Sequence, residues 1–153
     1  MLPAVVIAIV LLPVLAFAVL SLTSRRPTNL GVHDGKLATC PASPNCVSTA
    51  ASEESQRMEP IAFSRTVDEA MSRLREVVAE VPRTTIVTER DDYLYVECST
   101  ALFRFVDDVE FLIDEDAGRI HFRSASRAGH SDLGVNRRRM EQITKAFRQR
   151  SND

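Results

Sequence analysis

Asp107-Asp108-Val109-Glu110-Phe111-Leu112-Ile113-Asp114-Glu115-Asp116-Ala117-Gly118-Arg119-Ile120-His121-Phe122-Arg123-Ser124-Ala125-Ser126 reads as a β-hairpin. Val109, Phe111 and Ile113 fall on one face and Asp108 and Glu110 on the other, the period of two that a strand with one buried face requires. The polar run around Gly118 turns the chain. Opposing Ile113 with Ile120 sets Phe111 against Phe122, Val109 against Ser124 and Asp107 against Ser126. The same register pairs Glu110 with Arg123 across the strands. A slip of one residue would turn the apolar face outward, so the pattern fixes the pairing.

Downstream, Arg123 to Arg139 is dense in Arg, Ser and Gly and joins the last strand to the last helix. With Leu133 at zero on a helical wheel, Asn136, Met140, Ile143 and Phe147 fall at about 300°, 340°, 280° and 320°. The spacing predicts a helix starting near Ser131 or Asp132, with Asn136 inside its apolar stripe. A buried amide there must find partners or cost about 1–3 kcal/mol.

Upstream, Thr66-Val67-Asp68-Glu69 is a capping box. Val67, Ala70, Met71, Leu74, Val77, Val78 and Val81 share one face behind it, and Pro82 ends the helix. Thr84 to Glu89 is a short β-branched strand. Tyr93 to Thr100 alternates, with Tyr93, Tyr95 and Glu97 opposite Leu94, Val96 and Cys98. Phe103 to Ile113 and Ile120 to Ala125 complete the set. The expected fold is α+β: a four-stranded antiparallel sheet with two amphipathic helices packed on one face, preceded by an N-terminal transmembrane helix.

That helix is expected from residues 2–22, which carry no charge and are long enough to cross a bilayer. A cleaved signal peptide ending at Ala16-Phe17-Ala18 is the alternative, although no base precedes the run. The organisation is then a membrane anchor over 1–22, a linker and Cys-containing loop over 23–57, and an α+β domain over 58–150. Arg25 and Arg26 after the span favour a cytoplasmic domain. Cys40 and Cys46, six residues apart with two prolines between, favour a disulfide and hence an extracytoplasmic domain, periplasmic or lumenal. The latter orientation is the one expected. A metal at these cysteines would lack ligands, and free thiols are the plainer alternative to the bridge. Cys98 is left over on a strand.

Three motifs resemble those of the domain-of-unknown-function 1499 family. They are Cys-Pro-x-Ser-Pro-Asn-Cys-Val-Ser from Cys40 to Ser48, Phe-Arg-Phe-Val-Asp-Asp-Val-Glu-Phe from Phe103 to Phe111, and Arg-Ser-Ala-Ser-Arg-x-Gly-x-Ser-Asp-Leu-Gly-Val-Asn-Arg from Arg123 to Arg137. They occur in the family's order and the resemblance covers 37–150. It implies a membrane-tethered or lumenal single domain and no established activity.

The hairpin register gathers a polar constellation at one end of the sheet: Asp107, Asp108, Arg123, Ser126, Arg127, His130, Ser131, Asp132, Asn136 and Arg137. As a binding site it would take a small anionic ligand or a protein partner, using the arginines and the unpaired amides of the last helix's first turn. As a clasp, its charges would satisfy one another. The enzymatic alternative uses Asp107, Asp108, His130 and Asp132 as metal ligands or as acid and base. No fixed-spacing metal or nucleophile motif is present, no cofactor is implied, and Ser126, His130 and Asp132 match no recognised triad. The net charge of −2 and the lack of an exposed aromatic platform argue against nucleic acid. Arg137, Arg138 and Arg139 form a basic run that could meet anionic lipid headgroups beside the membrane. The chain reads as a membrane-anchored accessory module, with the lipid membrane as its partner through 2–22.

Overall fold

The computed structural model describes residues 23–150 throughout and, before them, residues 11, 12, 15, 17 and 19–21. Its elements are β1 (Val32–His33), β2 (Lys36–Leu37), β3 (Cys46–Ser48), β4 (Ile61–Ala62), α1 (Val67–Ala79), β5 (Thr84–Glu89), β6 (Tyr93–Ser99), β7 (Val106–Asp114), β8 (Arg119–Ser126) and α2 (Val135–Gln149). The main sheet runs β3-β8-β7-β6-β5, with β4 also paired to β8, and every pairing is antiparallel.

The expected four-stranded sheet with a preceding transmembrane helix is corrected on both counts. The sheet has six strands, and a separate two-stranded β1-β2 hairpin adds to them. Among the described residues no helix is long and apolar enough to cross a membrane, and most of 2–22 lies outside those residues. The stretch 23–57, expected as linker and loop, supplies β1, β2 and β3. Strands of two or three residues show no alternation that a periodicity reading could detect.

The β7–β8 register is the one the alternation dictates: Ile113 opposes Ile120, Phe111 Phe122, Val109 Ser124, and Asp107 Ser126. Leu94, Val96, Val109, Phe111, Ile113, Ile120 and Phe122 form one face, over which α1 and α2 lay Leu74, Val77, Val78, Met140, Ile143 and Phe147. Thr66 caps α1 with both bonds of the capping box. The opposite face is buried as well. Tyr93, Tyr95 and Leu112 pack there under Leu37, with Leu30 and Val32 beside them. A sheet covered on both sides must satisfy every polar side chain it encloses, and this requirement builds the site.

The last helix starts later than its stripe suggests. Leu133 and Gly134 are both left-handed, at φ 53° and 76°, so the first helical residue is Val135. Leu133, placed on the stripe by the wheel, is 83% exposed. Phe103 and Phe105, expected within a strand, belong to the β6–β7 loop, where Arg104 is also left-handed.

Candidate functional site

Asp107 and Asp108 are consecutive on a strand, so they point to opposite faces of the sheet. Each anchors a separate network. On the helix side, Ser126 Oγ donates to Asp107 Oδ1 at 2.6 Å and Arg139 Nη2 donates to Oδ2 at 2.5 Å. Arg139 also reaches Asn136 Oδ1 at 2.7 Å. Asn136 is fully buried and uses its whole amide. Its Oδ1 accepts from Ser124 Oγ at 2.5 Å, while its Nδ2 donates to Asn45 O at 3.2 Å and Ser126 Oγ at 3.0 Å.

Asn45 carries the network into the Cys40–Cys46 loop. Its Nδ2 donates to Gly129 O at 2.7 Å, its Oδ1 accepts from Ser43 Oγ at 2.7 Å, and its backbone carbonyl accepts from Ser126 N at 3.0 Å. Cys40 and Cys46 are disulfide-bonded, with Cα atoms 5.7 Å apart. Gln56 closes the same loop through the carbonyls of Pro41 and Ser43, both at 2.9 Å. The loop, the β8–α2 connection and α2 are thereby stitched together through the end of β8.

On the other face, Arg127 grips Asp108 with a fork, Nε to Oδ2 at 3.0 Å and Nη2 to Oδ1 at 2.6 Å, and also donates to Glu97. Two parallel charge-assisted bonds fix both position and orientation. The Tyr95 hydroxyl donates to Asp108 Oδ1 at 2.7 Å and accepts from Arg127 Nη2 at 2.9 Å. Arg26 reaches Glu97 Oε1 at 2.6 Å and lies over the Tyr95 ring. Further along, fully buried Glu110 accepts from Tyr93 Oη at 2.8 Å, from Gly31 N at 2.6 Å and from Arg123 Nη1 at 3.4 Å. Arg123 Nε is buried without a hydrogen-bond partner.

The electrostatics follow from this packing. Burial opposes ionisation of Tyr93 and Tyr95, and their bonds to Glu110 and Asp108 add to it, so both phenols are pushed well above their ordinary range. Burial alone would raise Glu97, but hydrogen bonds from Arg127, Arg26 and Tyr95 outweigh it and hold the carboxyl below its usual value. The bond to Asp108, reinforced by Glu97, raises Arg127 further. Burial raises the Cys98 thiol.

The remaining expected residues divide. Asp132 accepts from Gly134 N at 3.0 Å and Asn136 N at 2.7 Å, and Ser131 Oγ accepts from Leu133 N at 3.2 Å. The amides expected to bind an anion are therefore largely taken by the chain's own side chains. Arg137 donates to the carbonyls of Ser55 and Arg57, away from the aspartates. His130 is exposed. The metal alternative is not assembled: Asp107 and Asp108 lie on opposite sides of the sheet, Asp132 caps a helix, and among the described residues no group of three His, Cys, Asp or Glu is placed to hold an ion.

Sequence reasoning missed Asn45, Arg139, Glu97 and the two tyrosines as members of the cluster. The tyrosines and Glu97 were legible as one strand face, but nothing in the alternation says that residues 26–37 cover it. A cleft of about 490 Å³ lies at the opposite end of the hairpin, between the β1-β2 segment and the β7–β8 turn. Among its walls are Leu37, Thr49, Leu112, Asp114 and His121, and none of the expected site residues lines it.

A search of curated proteins finds no significant match. The family described as protein of unknown function (DUF1499) matches residues 36–147, most of the chain, and the chain belongs to that family.

Proposed function

We propose that this chain is a membrane-associated accessory module, held on the extracytoplasmic side, in which the polar cluster is a structural clasp. The observation that carries this reading is the internal matching of the cluster. Asp107 is paired with Arg139, Asp108 with Arg127, and Asn136 with four groups of the chain itself. A ligand would have to displace these partners, and separating a buried ion pair leaves an uncompensated charge.

The uncharged run 2–22 supports attachment to a lipid membrane. The Cys40–Cys46 bridge supports an oxidising compartment. Native intact-mass measurement of the full chain in detergent tests the clasp: the polypeptide mass less two protons is expected, and a retained small molecule or metal refutes it. Fractionation tests attachment. A mature protein free in the soluble fraction, beginning near Val19, would overturn it.

A further inference from the structure

We infer that the clasp end of the domain lies on the surface of an anionic lipid bilayer, with the tips of the β6–β7 and β8–α2 loops in the headgroup region. The inference rests on the membrane-attachment reading above and adds a second, independent contact to it. Both loops leave the same end of the sheet, where Ser99 pairs with Val106 and Asp107 with Ser126. Arg127 N, donating to Val106 O at 3.1 Å, ties one loop to the other.

Each loop holds a large leucine out of the protein. Leu102 is 79% exposed and Leu133 is 83% exposed. Both leucines stand on hydrogen-bonded backbone. Thr100 N bonds to Phe105 O at 2.9 Å, Phe105 N bonds to Thr100 Oγ at 3.0 Å, and Ser131 Oγ and Asp132 Oδ1 accept from the amides of Leu133 and Gly134. Folded loops that present leucine to solvent at one end of a domain make that end an apolar contact surface.

Phe17, within the apolar N-terminal run, reaches this same end. Phe17 lies 5.3 Å from the Phe103 ring and 6.2 Å from the Phe105 ring, centroid to centroid. The surface of the β6–β7 loop is therefore continuous with the segment read as the membrane attachment.

The charge at this end selects the kind of bilayer. Arg25, Arg83, Arg104 and Arg138 are exposed, and none has a carboxylate partner among the described residues. Arg83 and Arg138 use their guanidinium groups on the backbone carbonyls of Ser99 and Leu133, within the same end. The acids nearby are engaged: Asp107 and Asp108 are buried in ion pairs, Glu97 holds Arg26 and Arg127, and Asp132 caps α2. Arginines left over around exposed leucines fit anionic headgroups over a hydrocarbon boundary. Of the basic run 137–139, only Arg138 is available for this role, because Arg139 is bound to Asp107 and Arg137 to Ser55 and Arg57.

The chain contains no tryptophan, so a single substitution makes a clean reporter. Full-length Leu102→Trp, Leu133→Trp and, at the opposite hairpin turn, Ala117→Trp would each be mixed with phosphatidylcholine–phosphatidylglycerol vesicles carrying brominated acyl chains. L102W and L133W should shift to the blue and lose roughly half their emission, as an indole settled at the interface does, while A117W stays unchanged. In vesicles of phosphatidylcholine alone the quenching should weaken. If the protein floats with the vesicles but L102W and L133W behave like A117W, the docking inference falls and attachment stands; a surface that meets a protein partner gives this result. If the protein does not float with vesicles at all, the attachment reading falls first. Equal quenching in the purely zwitterionic vesicles would overturn the arginine contribution.

Discussion

Replacing Asn136 with leucine removes the side chain on which three segments converge. Its Oδ1 accepts a charge-assisted bond from Arg139, worth about 2 kcal/mol, and one from Ser124, worth about 1 kcal/mol. Its Nδ2 bonds cost less to lose, about 0.5 kcal/mol each, because both acceptors keep other partners. Asn45 O retains Ser126 N, and Ser126 Oγ retains Asp107. Against a total of about 4 kcal/mol, burying a leucine of similar size returns about 2 kcal/mol, so a net loss of about 2 kcal/mol is expected. Urea unfolding of the full chain in detergent, followed by circular dichroism, measures it. The Ser124 hydroxyl should account for part of the loss. Ser124→Ala should cost less once Asn136 is gone than in the native background, the remainder being the 3.3 Å bond from Arg139 Nη1 to Ser124 Oγ. An unfolding free energy unchanged by Asn136→Leu would refute the clasp.

Three further outcomes are expected. Arg127→Met leaves Asp108 buried without its cation and should destabilise by about 3–5 kcal/mol, with Arg127→Met/Asp108→Asn recovering much of that in the same assay. Reducing the Cys40–Cys46 bridge, which closes a short loop, should cost roughly 2 kcal/mol, read as a lower urea midpoint with and without reductant. The pH profile of unfolding should fall on both sides. Glu97 is depressed in the fold, so its contribution is present above the ordinary carboxylate value near 4.5 and is lost as pH falls through the folded value. Tyr93 and Tyr95 are raised, so their contribution is complete below about pH 10 and is lost above it as the unfolded phenols ionise. A shallower acid limb in Glu97→Gln than in the native chain would isolate the first effect.

The parts of this fold that could be read from the chain are those where one physical rule acts over many residues. β7 and β8 alternate for long enough that Phe111 and Phe122 have only one sensible opposition, and the structure has it. Thr66 and Glu69 announce α1 because a capping box uses fixed spacing. The parts that could not be read depend on long-range closure. Cys46–Ser48 is only three residues long, and it becomes a strand because β8 offers an edge, not because of its own pattern. Asn136 was visible as an amide in an apolar stripe, but its partners Asn45 and Arg139 were not. One lies far off in a proline-rich loop, and the other sits in a basic run that reads as a match for lipid headgroups. Leu133 was misplaced on the wheel because two consecutive left-handed residues delay the helix, and a projection that assumes helix cannot show that.

The stitch between Asn136 and Asn45 joins residues 91 positions apart, whereas Cys40 and Cys46 are six apart. Closing a short ring requires little chain, and it can happen as soon as its own residues are available. The groove into which that ring fits exists only after β8 and the first turn of α2 have been made. During synthesis from the N-terminus, then, the residues of the disulfide ring precede the surface that will hold it, and α2, the last helix in chain order, is the one that locks that early loop.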